Sequence, residues 1–193
     1  MRLYLLRHEK RAIDNPSFYS PLLENGLIDA NKLKYILNDL HIDLIFSSPF
    51  KRVLQTIKPY CDIKKSNVNI EYSLYEQIYH HETHKFKFNK NDYKKDLMPN
   101  DPEFYLKNND YKSYFPLEKI EFTKDTSLRS NNFLKHIINK YKDTEKNILL
   151  ATHGGIILDM INGTDSDFPP MGGLILYYNG EHECPKPINY CKE

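Results

Sequence analysis

Three short apolar segments, each followed at once by a polar turn, constrain the fold of this chain most strongly. Residues 2–6 stop at Arg7 and His8, and residues 43–46 and 146–151 end in the same abrupt way. Strands that are apolar along their length are typical of parallel sheets with both faces covered. Ligands bind at the carboxyl ends of such strands in open α/β sheets, so these turns are candidate site positions.

The segments between the predicted strands have the spacing of helices. Apolar residues recur every three or four positions in 26–40 and in 126–141, which predicts an amphipathic helix in each. The Ser-Ser-Pro sequence at 47–49 predicts the start of another helix, which runs to about Tyr60. The remaining elements are predicted as strands at 68–72 and 173–178, a helix at 155–162 and an irregular tail from Pro185. Alternating strands and helices predict an α/β fold, a three-layer α/β/α sandwich around a mostly parallel sheet.

Length and composition favour one domain with an insertion. The chain of 193 residues is long enough for a single core, so we expect one domain over 1–193. A stretch at about 77–125 is rich in lysine, asparagine and aromatic residues and is interrupted by prolines, which predicts an inserted cap. Within it, His80 and His84 have helical i,i+4 spacing, but they do not form the HExxH pattern of a zinc site. We therefore predict no metal site, and a solvated surface for the lysines.

Charge and cysteine usage exclude several classes of partner. The formal net charge of +1 provides no field that would attract nucleic acid or a membrane surface. No apolar run approaches the ~20 residues that span a bilayer, and a strand from residue 2 leaves no room for a signal peptide. The three cysteines (Cys61, Cys184 and Cys191) show no metal-ligand spacing and favour a reducing compartment. The sequence thus predicts a cytoplasmic protein with neither a nucleic-acid nor a membrane partner.

The side chains that follow the predicted strands are suited to phosphoryl chemistry. Four cationic or nucleophilic side chains would meet at one edge of the sheet: Arg7, His8, Arg52 and His153. Guanidinium groups match phosphate oxygens with fork-shaped donors, so Arg7 and Arg52 are the candidate phosphate ligands. A neutral imidazole can attack phosphorus and carry the phosphoryl group. The amide of Gly154, at the start of a predicted helix, would add an anion site.

Three stretches resemble the signature segments of the histidine phosphatase superfamily, also called the phosphoglycerate mutase-like family: LLRHE at 5–9, FSSPFKRVLQT at 46–56 and LLATHGG at 149–155. They occur in the family's order, and the resemblance extends from residue 2 to about 178. It implies the phosphoglycerate mutase-like fold and a phosphatase that hydrolyses a phosphomonoester without a metal or another cofactor. By the same resemblance, His8 is the nucleophile and forms a phosphohistidine intermediate.

The resemblance also implies roles for the residues around His8. The phosphoryl oxygens would be bound by Arg7, Arg52, His153 and Gly154. The family carries an acid just after the third strand, and Glu76 matches that position, although Glu71 and Glu82 lie nearby. One carboxyl group can protonate the leaving oxygen and later take a proton from water. His8, Glu76 and His153 are therefore the predicted catalytic residues.

Two other functions stay open at the level of the sequence. A phosphoglycerate mutase would return the phosphoryl group to a sugar acid, although the short tail after Pro185 argues against it. A catalytically weak, phosphate-binding regulatory module is the other, because Glu9 stands where the family usually has glycine and its carboxylate could repel phosphate. The substrate of an active enzyme would be a phosphorylated small molecule or a phosphoprotein.

Overall fold

The computed structural model describes residues 1–12, 20–76, 107–115 and 126–189, and within these ranges the strands form one sheet. The strands are β1 (Arg2–Arg7), β2 (Leu44–Ser47), β3 (Val68–Ile70), β4 (Asn147–Thr152), β5 (Leu174–Tyr178) and β6 (Glu183–Ile188). The helices are α1 (Glu24–Asp39), α2 (Lys51–Lys64), α3 (Ser127–Tyr141) and α4 (Gly154–Ile161), with short 3₁₀ helices at Tyr72–Leu74 and Asp165–Asp167. None of the helices in these ranges combines the length and the hydropathy needed to cross a membrane.

The strand order places the three strands with polar ends side by side. The strand order in the sheet is β3-β2-β4-β1-β5-β6. The first four strands of the chain, β1 to β4, are parallel to one another. β5 pairs antiparallel with β1, and β6 pairs antiparallel with β5. Arg7 of β1 is level with Thr152 of β4, and Ser47 of β2 is level with Ala151 of β4. The carboxyl ends of β1, β2 and β4 therefore form one continuous edge.

Successive side chains of β1 point to opposite faces of the sheet, and each face is covered by one layer of helices. Tyr4 and Leu6 pack with buried residues of α1 and α2. Leu3 and Leu5 pack with buried residues of α3 and α4. Burial on both faces explains why this strand is apolar without alternation. The predicted three-layer α/β/α fold is confirmed, with a mixed sheet in which β1 to β4 are parallel and the pairings of β5 are antiparallel.

The chain from Pro185 was predicted to be an irregular tail, but the structure has a strand there. The residues of β6 pair antiparallel with β5, so the prediction for this stretch is wrong. Pro185 and Pro187 both lie in the strand. They are tolerated because β6 is the edge of the sheet, where outward-facing positions need no N–H donor.

The boundaries of β3 and α2 also differ from the prediction, and α2 runs to Lys64 rather than to about Tyr60. β3 ends at Ile70 and does not extend to residue 72 as predicted. The carboxylate of Glu71, the next residue, instead caps the following 3₁₀ helix. α2 begins only at Lys51, and its N-terminus has no side-chain cap. Ser48 caps no amide within α2, but its hydroxyl accepts from the N–H of Phe50, the residue before α2, at 3.4 Å, and it makes a further contact in the candidate site.

The cap predicted at about 77–125 falls largely outside the described residues, and so do His80, His84 and most of the lysines near them. Residues 107–115 are the described part. They pack against β3, where the Asn108 N–H donates to the Val68 carbonyl at 2.8 Å.

Candidate active site

Four of the predicted site residues meet at the edge formed by β1, β2 and β4. His8 and His153 directly follow β1 and β4, and Arg52 is the second residue of α2. Glu76 belongs to the segment after the first 3₁₀ helix. One nitrogen or carboxylate oxygen from each of His8, Glu76 and His153 lies within 4.8 Å of the other two. The fold thus gathers distant parts of the chain into one candidate active site.

The imidazole of His8 is held in one tautomer. Its Nδ1 lies 2.7 Å from the backbone carbonyl oxygen of Glu9, which can only accept, so Nδ1 carries the proton. Nε2 then has the lone pair, and the Arg52 Nε–H donates to it at 3.4 Å. His8 is only 3% exposed. The result is a neutral, buried ring whose unprotonated Nε2 adjoins the Arg52 guanidinium.

Glu9 supports His8 through its backbone. The Glu9 N–H donates to the Thr56 hydroxyl at 2.9 Å, and that hydroxyl donates to the Arg52 carbonyl at 2.8 Å. The Glu9 carbonyl is the acceptor that fixes the His8 ring. Any residue except proline supplies the same two backbone groups, so glutamate at this position leaves the support of the ring intact.

His153 is fully buried, and both of its ring nitrogens have partners. Nε2 lies 2.8 Å from the Ser48 hydroxyl, and Nδ1 lies 3.4 Å from both Arg52 Nη2 and Glu76 Oε2. Arg52 can only donate and the Glu76 carboxylate can only accept, so the two partners of Nδ1 favour opposite tautomers, and the Ser48 hydroxyl can pair with Nε2 in either one. The Phe50 ring packs edge-on against the imidazole, with 4.8 Å between centroids. His153 therefore presents Nδ1 to Arg52 and Glu76.

Arg52 is a buried cation in contact with both histidines. Its Nη2 lies 4.0 Å from Glu76 Oε2, and its guanidinium carbon lies 4.4 Å from the centroid of the Phe50 ring. Burial lowers the pKa of Arg52 to about 9, while attraction to Glu76 opposes this shift. The guanidinium therefore stays charged at neutral pH, and a bound phosphate would add to its charge pairing.

Glu76 is the carboxylate that adjoins both Arg52 and His153. Its side chain is 27% exposed, and its Oε2 lies 3.4 Å from His153 Nδ1. The alternative acid, Glu71, is fully buried. Its carboxylate accepts hydrogen bonds from the N–H groups of Ser73, Tyr114 and Phe115 and from the hydroxyls of Tyr111 and Ser113. Glu71 therefore anchors residues 107–115, and the other alternative, Glu82, lies outside the described residues.

Arg7 is held by the loop that precedes β5. Its Nη1 donates to the Pro169 carbonyl at 2.5 Å, and its guanidinium carbon lies 4.5 Å from the centroid of the Phe168 ring. Its Nε is buried and has no hydrogen-bond partner in the described part of the chain. A Cβ on Gly154 would clash with the Phe168 ring and come within 3.0 Å of Arg7 Nε. Glycine therefore lets Phe168 and Arg7 pack against the start of α4, and a larger residue would have to displace their side chains.

Several contributors to the site were not identified from the sequence. Ser48 was interpreted as a helix cap, yet its hydroxyl is the partner of His153 Nε2. Its place in the FSSPFKRVLQT stretch was a signal that could have identified it. Burial and the charges of Arg52 and Arg7 lower the pKa of His8, and the charge of Arg11 adds a smaller effect of the same sign. The carbonyl of Pro169 holds Arg7, and no local sequence pattern indicates that contact.

His8, Glu76 and His153 also offer the ligand types of a metal site. The Arg52 guanidinium, however, lies 3.4 Å from His8 Nε2 and from His153 Nδ1, the two nitrogen atoms that would have to bind the metal. Its positive charge disfavours a cation at this place and favours an anion. These residues are therefore better suited to bind phosphate than a metal ion.

The surroundings of the two histidines keep both rings neutral. Burial lowers the pKa of His8 well below its usual range, and the charge of Arg52 lowers it further. Burial, followed by the charges of Arg52 and His8, has the same effect on the pKa of His153. Neutrality suits a nucleophile at His8. At His153, the negative charge of a bound phosphate would favour protonation, so that both ring nitrogens would be donors.

Stability should fall as the pH drops below about 6.5, the pKa of histidine in an unfolded chain. In that range the unfolded state takes up protons at His8 and His153 and the folded state does not. The contribution is complete above this pH and is lost progressively toward the lowered folded-state pKa values. Urea unfolding at about pH 7.5 and about pH 5.5 measures the loss. The H153Q variant should lose less stability between these two pH values than the wild type, whereas H182Q, at a side chain that is 66% exposed, should lose as much as the wild type. If H153Q loses as much as the wild type, the pH dependence of stability comes from other groups.

The three-layer fold and its cluster of arginines and histidines at the carboxyl ends of β1, β2 and β4 define an α/β protein with a positively charged candidate site. The family model of the histidine phosphatase superfamily (branch 1) matches residues 3–164, which is most of the chain. The chain therefore belongs to this superfamily, as its three signature stretches predict. No curated protein sequence matches the chain significantly.

Solved structures of phosphatases share the fold. The alpha-ribazole phosphatase from Shigella flexneri is 21% identical, with a TM-score of 0.60 over 93% of this chain and 92% of that one. The ecdysone phosphate phosphatase from Bombix mori is 13% identical, with a TM-score of 0.61 over 98% and 95%. The mycobacterial glucosyl-3-phosphoglycerate phosphatase Rv2419c is 15% identical, with a TM-score of 0.59 over 90% and 88%. At these identities the likeness shows the fold alone.

Proposed function

We propose that this protein is a phosphatase that hydrolyses a phosphomonoester through a phosphohistidine intermediate on His8. The observation that carries the proposal is the fixed neutral tautomer of His8, whose Nε2 adjoins Arg52 while its Nδ1–H is held by the Glu9 carbonyl. The phosphoryl oxygens are bound by Arg7, Arg52, His153 and Gly154. Membership of the superfamily and the phosphatases among the similar structures support this reaction class.

In the first step, the lone pair of His8 Nε2 forms a bond to phosphorus as the bond from phosphorus to the leaving oxygen breaks. The leaving oxygen takes the proton of the Glu76 carboxyl group, so the alcohol departs neutral. The guanidinium groups of Arg7 and Arg52 offset the negative charge on the other phosphoryl oxygens. His153, protonated beside the bound phosphate, adds a donor at Nδ1.

The second step uses the same carboxyl group in the opposite direction. The Glu76 carboxylate takes a proton from water while the water oxygen forms a bond to phosphorus and the bond to His8 Nε2 breaks. Inorganic phosphate then leaves, and His8 returns to its neutral tautomer. No step draws on a metal or another cofactor, because guanidinium and imidazolium groups supply the positive charge.

Hydrolysis of p-nitrophenyl phosphate in excess chelator tests the reaction class. Turnover should be insensitive to chelation. Rapid denaturation during turnover should leave a phosphoryl group on the protein through a linkage that is stable in base and labile in acid, as a phosphohistidine is. Turnover without such a species, or turnover that chelation stops, would contradict the proposal.

Replacing Glu76 by glutamine should slow substrates with poor leaving groups most. An alkyl phosphate needs a proton on its leaving oxygen, so its kcat/KM should fall about 10²-fold. p-Nitrophenolate leaves without a proton, so the kcat/KM of its ester should fall far less. The same substitution at the exposed Glu181 is the control and should change neither rate. Equal losses with both substrates would show that Glu76 is not the acid.

A phosphorylated small molecule is the first substrate class to test. Two of the similar phosphatases are named for ecdysone phosphate and glucosyl-3-phosphoglycerate, which are small molecules. Phosphate release should be measured with a panel of sugar, alcohol and nucleoside monophosphates beside phosphoserine, phosphothreonine and phosphotyrosine peptides. Faster release from every peptide than from any metabolite would shift the proposal to a phosphoprotein phosphatase.

A further inference from the structure

The segment that carries Glu76 is fixed by a buried arginine from α3. Arg129 is 8% exposed, and its Nη1 donates to the Ser73 carbonyl. Its Nη2 donates to the Tyr75 carbonyl at 2.7 Å, and its guanidinium carbon lies 3.5 Å from the centroid of the Tyr75 ring. One planar fork thus holds two carbonyls that lie two residues apart.

The Tyr75 carbonyl belongs to the peptide bond that leads into Glu76. Fixing that peptide limits the directions in which the Glu76 side chain can leave the backbone. Two other hydrogen bonds act earlier in the segment: the Thr152 hydroxyl donates to the Leu74 carbonyl at 2.7 Å, and the Ser73 N–H donates to the Glu71 carboxylate. Of these three backbone contacts, the one from Arg129 to the Tyr75 carbonyl lies closest to Glu76 along the chain.

The charge of Arg129 also reaches the carboxyl group. Burial lowers the pKa of the Arg129 guanidinium, while Tyr75 and the carboxylate of Glu76 oppose this shift. A lysine cannot reproduce this arrangement, because its single ammonium lacks the planar fork that spans two carbonyls.

We propose that Arg129 is a positioning residue that holds the Glu76 carboxyl group where the leaving oxygen needs its proton. This inference rests on the proposed function, since it gives Arg129 no role without an acid at Glu76. A displacement of a catalytic group by about 1 Å can cost about 10²-fold in rate, so a modest loosening of the segment is measurable.

A double-mutant cycle with two substrates tests the proposal. Arg129→Met should lower kcat/KM for an alkyl phosphate about 10-fold or more and that for p-nitrophenyl phosphate about threefold or less. In the Glu76→Gln background, the same substitution should cost less than about twofold with either substrate, because no acid is left to position. Arg129→Lys should give an intermediate loss with the alkyl phosphate. It also serves as the second variant where Arg129→Met does not fold.

Thr152→Val is the matched control, since it removes one hydrogen bond from the same segment without removing a charge. It should leave the ratio of the two kcat/KM values within about twofold of the wild type. Equal losses on both substrates in Arg129→Met, a loss that persists in the Glu76→Gln background, or the same change of ratio in Thr152→Val would overturn the role of Arg129. If Glu76→Gln alone does not depend on the leaving group, the proposed acid has failed rather than its positioning.

Discussion

Replacing His8 with alanine should abolish turnover of p-nitrophenyl phosphate while the protein stays folded. The substitution removes the nitrogen that would form the bond to phosphorus, and water held in its place is a far weaker nucleophile. We expect kcat to fall by about 10⁴-fold or more, which corresponds to about 5.5 kcal/mol of transition-state stabilisation. Steady-state kinetics and trapping of the phosphoenzyme are the measurements, and the trapped species should disappear entirely.

The control for this experiment is His182→Ala, at an exposed histidine of the same chain. It should keep the wild-type rate and the wild-type amount of phosphoenzyme. Binding of vanadate or inorganic phosphate to His8→Ala, measured by calorimetry, shows whether the pocket remains intact. A His8→Ala variant that folds, binds phosphate and retains more than about a hundredth of the activity would rule out a phosphohistidine at this residue.

Replacing Arg52 with methionine should cause the second-largest loss. The side chain is buried and lies against Nε2 of His8 and Nδ1 of His153, so it is placed to offset charge on the phosphoryl group. Loss of one such fixed donor costs about 10³-fold in comparable sites, and we expect kcat/KM to fall by that factor. The affinity for vanadate should fall with it, because the same guanidinium binds the ground-state anion.

Arg52→Lys distinguishes the shape of the cation from its charge. A lysine keeps the positive charge but cannot donate to both histidines and to phosphate as a planar fork does, so we expect a loss of about 10²-fold. Lys51→Met, one residue earlier on α2, is the control for loss of a nearby charge and should stay within about threefold of the wild type. Wild-type activity in Arg52→Lys would show that only the charge matters. Unfolding curves should show that Arg52→Met is folded, since an apolar side chain avoids the cost of burying a charge.

The sheet and its functional edge could be predicted because their signals are local. An apolar run that stops at Arg7 or at Thr152 marks a buried strand, and parallel strands bring their carboxyl ends together. The positions of His8 and His153 followed from these strand ends. The prolines of β6 gave a misleading local signal, because a strand at the edge of a sheet tolerates residues that a central strand excludes.

The supports of the site could not be predicted, since each joins residues that are far apart in sequence. Ser48 was assigned to the nearest helix, yet its hydroxyl serves a histidine after β4. Arg129 lies on an amphipathic helix, where an arginine ordinarily marks the solvated face, and its two acceptors are backbone carbonyls. Every residue has a backbone carbonyl, so a hydrogen bond to one does not depend on residue type and cannot be predicted from a pattern of side chains.

Backbone contacts from the far end of the chain hold the first strand end in place. The Arg7 N–H donates to the Gly173 carbonyl at 2.9 Å, and the Gly172 N–H donates to the His8 carbonyl at 3.0 Å. The Arg7 side chain adds its bond to Pro169. During translation, Arg7 and His8 are made long before the residues that secure them, Pro169, Gly172 and Gly173.

Catalytic competence should therefore be among the last properties that a newly made molecule acquires. Contacts between the two ends of a chain close large loops, and they form later than local helices. In a refolding experiment, recovery of the far-ultraviolet circular dichroism signal should precede the return of phosphatase activity. An assay of turnover would then report completion of the native topology rather than the collapse of the chain.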